Sequence, residues 1–354
     1  MKNKKFIWDK YSDQPYPIKD KKYKKNMRKK HIFDYISLLL TNIIFFPLSI
    51  ILMPFFKSKK IIHNDKFYSM GLDFNKGYIQ KDLIDELGVK SVLIRMPLWE
   101  INKIEQYLKF VKTFTNDGIE VILNIMQDRE NIDNNTLLKI NINMIFKKFS
   151  PYVKEYQIGT TVNRTKWGFF SMAEYMIWYK QIQKIRDENY KDLNLVGSSV
   201  IDFEYHYTIR TLFNFIDIKF DKLASLLYVD RRGSPYNTQM FIFNTKQKIN
   251  MLYSMVRLSN KTSSDIYITE VNWPLANTAP YAPTSEKECV SQDDYSKYML
   301  EYYDIAKKTS KIQRVYWHAL IAPGYGLIDN RDGKIIKRKA FYAFKKMIDN
   351  EKNG

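Results

Sequence analysis

The residues in this 354-residue chain that could do chemistry lie in short polar clusters behind runs of β-branched or apolar residues. Glu270, Asn272 and Trp273 close one such run, and Trp317, His318 and Tyr325 close another. Tyr228, Asp230, Arg231 and Arg232 follow a third, Asp202 and Glu204 a fourth. Upstream come Arg95, Trp99 and Glu100, then Asn124, Gln127, Asp128 and Arg129, then Thr160, Thr161, Asn163, Arg164 and Trp167. Indole faces stack on the apolar faces of sugars, while Asp, Asn and Arg bind hydroxyls, so the mixture suits a carbohydrate. Against this, loops are polar in any protein and Trp is often a core residue. The four histidines show no metal-ligand spacing, and the single Cys289 excludes an intramolecular disulfide framework. Neither a metal nor a cofactor is expected.

Elements must bring these clusters together. The pattern predicts strands at Tyr68–Phe74, Ser91–Pro97, Glu120–Ile125, Glu155–Gly159, Leu193–Val200, Lys222–Val229, Asp265–Glu270 and Arg314–Leu320. Amphipathic segments such as Asn102–Asn116, Met172–Glu188, Thr245–Leu258 and Asp293–Lys308 lie between them. Eight strands alternating with helices read as β/α units around a parallel sheet. With no glycine-rich dinucleotide or phosphate-binding turn, a closed (β/α)8 barrel over residues 61–354 fits better than an open sheet. In such a barrel the chemistry sits at the C-terminal ends of the strands. The polar clusters occupy those positions.

Ahead of the barrel, Tyr35–Phe56 is an uncharged apolar stretch of about the length that spans a bilayer. A membrane anchor over 35–60 is expected, with membrane lipids as its partner. Pro47 and Pro54 leave a kinked span and a re-entrant hairpin open, and a buried core helix is the soluble alternative. The formal charge of +19 is concentrated before the stretch, in Lys21–Lys25 and Arg28–Lys30, and Lys57, Lys59 and Lys60 follow it. A basic block beside an apolar run favours anionic lipid over nucleic acid, for which no motif is present. It also places the N-terminus in the cytoplasm and the protein at the inner (cytoplasmic) membrane, the side of the barrel undecided. Residues 1–34, poor in aliphatic side chains, are expected as a flexible basic tail.

Three segments resemble the clan A glycoside hydrolases. Ile266-Tyr267-Ile268-Thr269-Glu270-Val271-Asn272-Trp273 is similar to that clan's seventh strand, which ends in the nucleophilic Glu. Tyr156-Gln157-Ile158-Gly159-Thr160-Thr161-Val162-Asn163 is similar to the fourth strand. Val315-Tyr316-Trp317, with Gly326–Asp329 and Ala340–Phe344, is similar to the eighth unit. The resemblance runs from about Tyr68 to Ile348. It implies that Glu270 is the nucleophile, that Arg95 and Tyr228 hydrogen-bond it, and that Trp317 forms part of the sugar-binding floor. Trp99, Asp128, Thr161, Asn163, Trp167, Asp230 and Trp273 complete the expected substrate-binding set by strand position.

The departure from the clan is at the fourth strand, where Thr160 and Thr161 stand in place of Asn and the acid/base Glu. Retaining hydrolysis needs two carboxyls, one attacking the anomeric carbon and one protonating the leaving oxygen. Threonine is too weak an acid for the second role near neutral pH. Three readings stay open: a relocated acid (Asp202, Glu204, Asp230, Asp128 or Glu100), a substrate with a good leaving group, or a non-catalytic glycan-binding or assembly protein. With the anchor, the resemblance implies action on cell-envelope polysaccharide or lipopolysaccharide sugars, the partner being a glycan or lipid-linked saccharide. Arg231 and Arg232 are either a phosphate or carboxylate grip or surface charges. The segment from Tyr281 to Cys289, with Glu286 and Glu288, is a long excursion of the kind that walls a site.

Overall fold

The computed structural model describes residues 6–58, 65–230 and 233–352. Lys59, Lys60, Arg231 and Arg232 lie outside the described residues.

Eight parallel strands close into a barrel: β3 (Tyr68–Asp73), β4 (Ser91–Pro97), β5 (Glu120–Met126), β6 (Glu155–Ile158), β7 (Asn194–Ile201), β8 (Lys222–Leu226), β9 (Ile266–Val271) and β10 (Arg314–Trp317). β10 pairs with β3 to complete the ring. Both faces of each strand are covered, which is why the strands read as nearly continuous apolar runs. One face packs into the lumen, where Leu93, Ile122, Val196, Ala224, Tyr267 and Tyr316 form a single cluster. The other packs against the helices. In α4 (Ile104–Thr115), Tyr107, Phe110, Val111 and Phe114 repeat at helical spacing and are fully buried. α7 (Met172–Asn189) starts where Ser171 accepts a hydrogen bond from the Glu174 amide. α9 (Thr245–Leu258) and α10 (Gln292–Thr309) start in the same way at Asn244 and Ser291.

The N-terminal end of the lumen is closed by charge. Arg314 donates to Glu120 at 2.8 Å and lies 3.6 Å from Glu155, which is also bonded by Lys222 and by the Tyr267 hydroxyl. One layer nearer the mouth, Arg95, Asn124 and Gln157 stand in register on β4, β5 and β6, all buried.

The segment expected as a flexible tail is folded onto the barrel from residue 6 onward. A hairpin of β1 (Trp8–Asp9) and β2 (Gln14–Pro15) turns on the Asp9 carboxylate, which accepts from the Tyr11 amide and the Ser12 hydroxyl. Aromatic contacts hold it rather than aliphatic burial. Trp8 packs between Trp99 and Trp167, with ring centroids 5.4 and 5.7 Å away. Tyr11 meets Tyr281 edge-on. Next comes α1 (Lys21–Lys30), capped by Asp20, whose Met27 joins Phe6, Ile18 and Phe170 in a small core.

The apolar stretch is one helix, α2 (Ile32–Leu52), which runs through Pro47. It is not a buried core helix: only Asp34 and Ser49 of its residues are buried. It lies along α8 (Tyr205–Leu212) and α9 on the outside of the barrel.

Candidate active site

Glu270 owes its direction to an irregularity. Between Val315 and Trp317, β10 advances two residues while β9 advances three, from Ile268 to Val271. Side chains alternate along a strand, so strict alternation would put Glu270 on the helix-facing side with Ile268. The extra residue in β9 resets the alternation and lets the carboxylate face the mouth. Bulges next to active sites commonly re-aim a side chain in this way. β7 carries a second irregularity, between Ser198 and Val200, with Ser199 at φ +59, just before Asp202.

The Tyr228 hydroxyl donates to Glu270 Oε1 at 2.5 Å, and Arg95 Nη2 lies 4.0 Å from Oε2. Burial works against the Arg95 charge, but Glu270, Tyr325, Asp73 and Asp13 outweigh it and raise its pKa. The guanidinium is therefore a fixed positive charge beside Glu270. His318 lines the same space and is pushed down to about 4 by burial, with Glu270 only partly opposing. It is neutral at pH 7. Its ring stacks on Tyr325 at 5.5 Å, and Asn272 donates to its carbonyl at 2.6 Å.

These groups surround a cavity of about 180 Å³ whose walls also include Thr161, Arg164, Trp167, Asp202 and Thr284. The remaining wall is the turn of the N-terminal hairpin, Ser12, Asp13 and Gln14. Asp13 lies 3.0 Å from Lys76 Nζ and 3.4 Å from the Tyr325 hydroxyl. Burial raises its pKa, only partly countered by Lys76. Gln14 donates to the Pro283 carbonyl and accepts from Lys166. The carboxylates facing the cavity are thus Asp13, Asp202 and Glu270.

The sequence-predicted residues divide into those that meet here and those that do not. Glu270, Arg95, Tyr228, Thr161 and Trp167 come together, and the Arg95 guanidinium sits 5.9 Å from the Trp167 ring. Asp230 lines an adjoining hollow of about 370 Å³ with Asp202, Glu204 and Glu288. Asn163 lines a third, of about 450 Å³, beside α1 and α2. Its side chain ties the β6 loop to β7, accepting from the Ile201 amide and donating to Glu204. Trp99 is half-buried under Trp8 and does not face the cavity.

Three expectations are corrected. Trp273 and Trp317 are fully buried and stacked on each other, centroids 5.8 Å apart. Their indole nitrogens are satisfied by the Gly233 carbonyl and the Tyr295 hydroxyl, so neither offers a face to a sugar. Asp128 caps α5 (Arg129–Asp133) by accepting from the amide and side chain of Asn131. Of the proposed replacement acids, Glu100 is bonded to Lys103 and Tyr107 away from the cavity, and Glu204 pairs with Arg164. Arg164 also bonds Asp202 at 2.7 Å.

The hairpin, and Asp13 with it, lies outside the site expected from strand ends. Trp8 and Tyr11, alternating in sequence with Asp9 and Asp13, are the available signal.

Comparison with known proteins yields no matching family model and no matching curated protein. Solved structures do match. The β-glucosidase from Thermotoga maritima bound to a methoxycarbonyl-substituted glucoimidazole superposes with a TM-score of 0.63 at 12% identity, covering 82% of this chain and 99% of that one. Its complex with deoxynojirimycin gives 0.60 at 10% identity with the same coverage. The family 1 β-glucosidase of that organism gives 0.59 at 10%. This chain therefore shares its (β/α)8-barrel fold with the family 1 β-glucosidases of glycoside hydrolase clan A.

Proposed function

We propose that this is a membrane-attached, glycosidase-like protein that engages cell-envelope polysaccharide or lipopolysaccharide sugars, with Glu270 as nucleophile. One observation carries the reading: Glu270 is turned into a small cavity at the C-terminal mouth of the barrel, hydrogen-bonded by Tyr228 and flanked by Arg95. The cavity is smaller than the ~300–1,000 Å³ of most small-molecule sites, which suits one sugar ring rather than a chain. In the first step the Glu270 carboxylate bonds to the anomeric carbon as the bond to the leaving oxygen breaks. Tyr228 and Arg95 orient the carboxylate, and Trp167 offers the ring a flat wall. An acceptor hydroxyl or water then bonds to the anomeric carbon as the bond to Glu270 breaks, freeing the carboxylate, and its proton passes to the group that served as acid in the first step. A natural leaving group still needs a proton, and Thr161 cannot supply it. Asp13, whose carboxyl is biased by burial toward its protonated form, is the candidate donor on this wall.

A second reading, a glycan-binding protein without turnover, is favoured by Thr161 at the β6 end and by the hairpin turn in the mouth. Activated fluorosugars separate the two, because their leaving groups need no proton donor. The enzyme reading expects a covalent glycosyl adduct on Glu270 by peptide mass mapping, absent in Glu270→Gln. No adduct across a panel of sugars, with saccharide binding that Glu270→Gln abolishes, leaves the binding reading. Failure of both results removes carbohydrate from the account.

A further inference from the structure

We infer that the outer face of α2, together with α1, is a lipid-facing surface that lays the barrel on its side against an anionic bilayer, with α2 in the plane of the membrane. The inference concerns how the attachment proposed above is made and is independent of the sugar chemistry at Glu270.

α2 is inside out. Its polar residues face the protein: Asp34 is bonded by Arg210 at 2.9 Å and by the Ala173 amide at 2.8 Å. Asn42 donates to the His206 carbonyl, and the Ser49 carbonyl accepts from the buried Ser254 hydroxyl. Phe45 stacks on Phe213 at 3.8 Å on the same side. The opposite side carries Phe33, Ile36, Leu40, Ile43, Ile44 and Ile51, each between 48% and 79% exposed. A helix on the surface of a soluble protein has the reverse arrangement, apolar stripe inward and polar face out. Apolar residues turned outward along about 31 Å of helix fit hydrocarbon, not water.

The contacts also set the orientation. α2 begins beside Ala173, at the start of α7 and so near the mouth end of the barrel. The chain beyond it reaches the opposite end, where the Ser58 hydroxyl bonds the Thr309 carbonyl at the end of α10. A helix docked along the whole barrel wall cannot cross a bilayer without dragging α8, α9 and both polar barrel ends into hydrocarbon. In the membrane plane it buries only its outward stripe, as interfacial helices do. The charge matches: α1 is Lys21-Lys22-Tyr23-Lys24-Lys25-Asn26-Met27-Arg28-Lys29-Lys30, without an acid. It adjoins the N-terminal end of α2, where basic side chains meet anionic head groups.

The test uses the full chain, purified in detergent and added to phosphatidylcholine vesicles with and without phosphatidylglycerol. Binding that phosphatidylglycerol strengthens is expected. Leu40→Glu with Ile44→Glu should lower the bound fraction roughly tenfold or more, and an unchanged fraction overturns the surface. Depth is read independently from fluorophores on Phe33→Cys, Leu40→Cys and Ile51→Cys, each in a Cys289→Ser background, quenched by spin-labelled lipids. Equal shallow depth at all three positions is expected. A deep midpoint at position 40, with 33 and 51 shallow in opposite leaflets, marks a spanning helix and overturns the in-plane surface while attachment stands. No vesicle binding at all overturns both, and neither outcome alters fluorosugar trapping at Glu270.

Discussion

At the scale of single residues, the proposed function rests on the surroundings of one carboxylate. A hydrogen bond to a charged group contributes about 1.5–3 kcal/mol. Tyr228→Phe should therefore slow fluorosugar trapping on Glu270 by roughly tenfold or more while leaving the thermal midpoint nearly unchanged. His318 gives a pH prediction. Its folded pKa of about 4 lies below the ordinary 6.5, so the unfolded chain takes up the proton first as pH falls. Stability from this group is complete above about pH 6.5 and is lost between 6.5 and 4, on the order of 3 kcal/mol. Urea titrations at several pH values should show that slope, and His318→Gln should flatten it. Trp317 is buried against the helices instead of flooring the cavity. Tyr316 points into the lumen and Trp317 to the helices, and a strand's residue types do not reveal which parity faces inward.

Among the elements, strands and long helices were legible and the N-terminal hairpin was not. Ser91–Pro97 and Thr245–Leu258 match their expected bounds, the strand because both its faces are buried and the helix because its apolar spacing holds throughout. The β9 bulge is invisible in sequence: it is a mismatch in advance between two strands, not a property of either. The hairpin escaped because two-residue strands leave no periodicity and because its stability comes from Trp8 meeting indoles about 90 and 160 residues away. Aromatic pairs contribute about 0.5–1.5 kcal/mol each. Trp8→Ala should thus free the hairpin, seen as faster amide exchange over residues 8–15 with the barrel's exchange unchanged. Asp13 adds a direction. Burial raises its pKa in the docked hairpin, so docking is favoured by the protonated form. Exchange over 8–15, corrected for intrinsic rates, should speed up as pH rises.

For the molecule as a whole, the barrel carries a buried ion network at one end and the Glu270 carboxylate at the other. Arg314 holds Glu120 and Glu155 together beneath the lumen. Removing one partner of a buried ion network costs about 3–5 kcal/mol. Arg314→Met should lower the urea midpoint accordingly without altering saccharide binding at the opposite end of the barrel. The eight-strand architecture could be read from alternating elements alone, and the expected place of the candidate site followed from it. The apolar helix was legible as apolar length; its docking against the wall was not, since that depends on Asp34 finding Arg210 at a separation of 176 residues.

The mouth cover and the apolar helix belong to one stretch of chain, with only Tyr16–Asp20 between the hairpin and α1. A shortened protein beginning near residue 65, the obvious route to a detergent-free sample, would lose more than its greasy helix. Trp99 and Trp167 would be stripped of their indole neighbour, Lys76 of its carboxylate and Arg210 of Asp34. Sugar affinities measured on such a sample would describe a wider, differently charged vestibule.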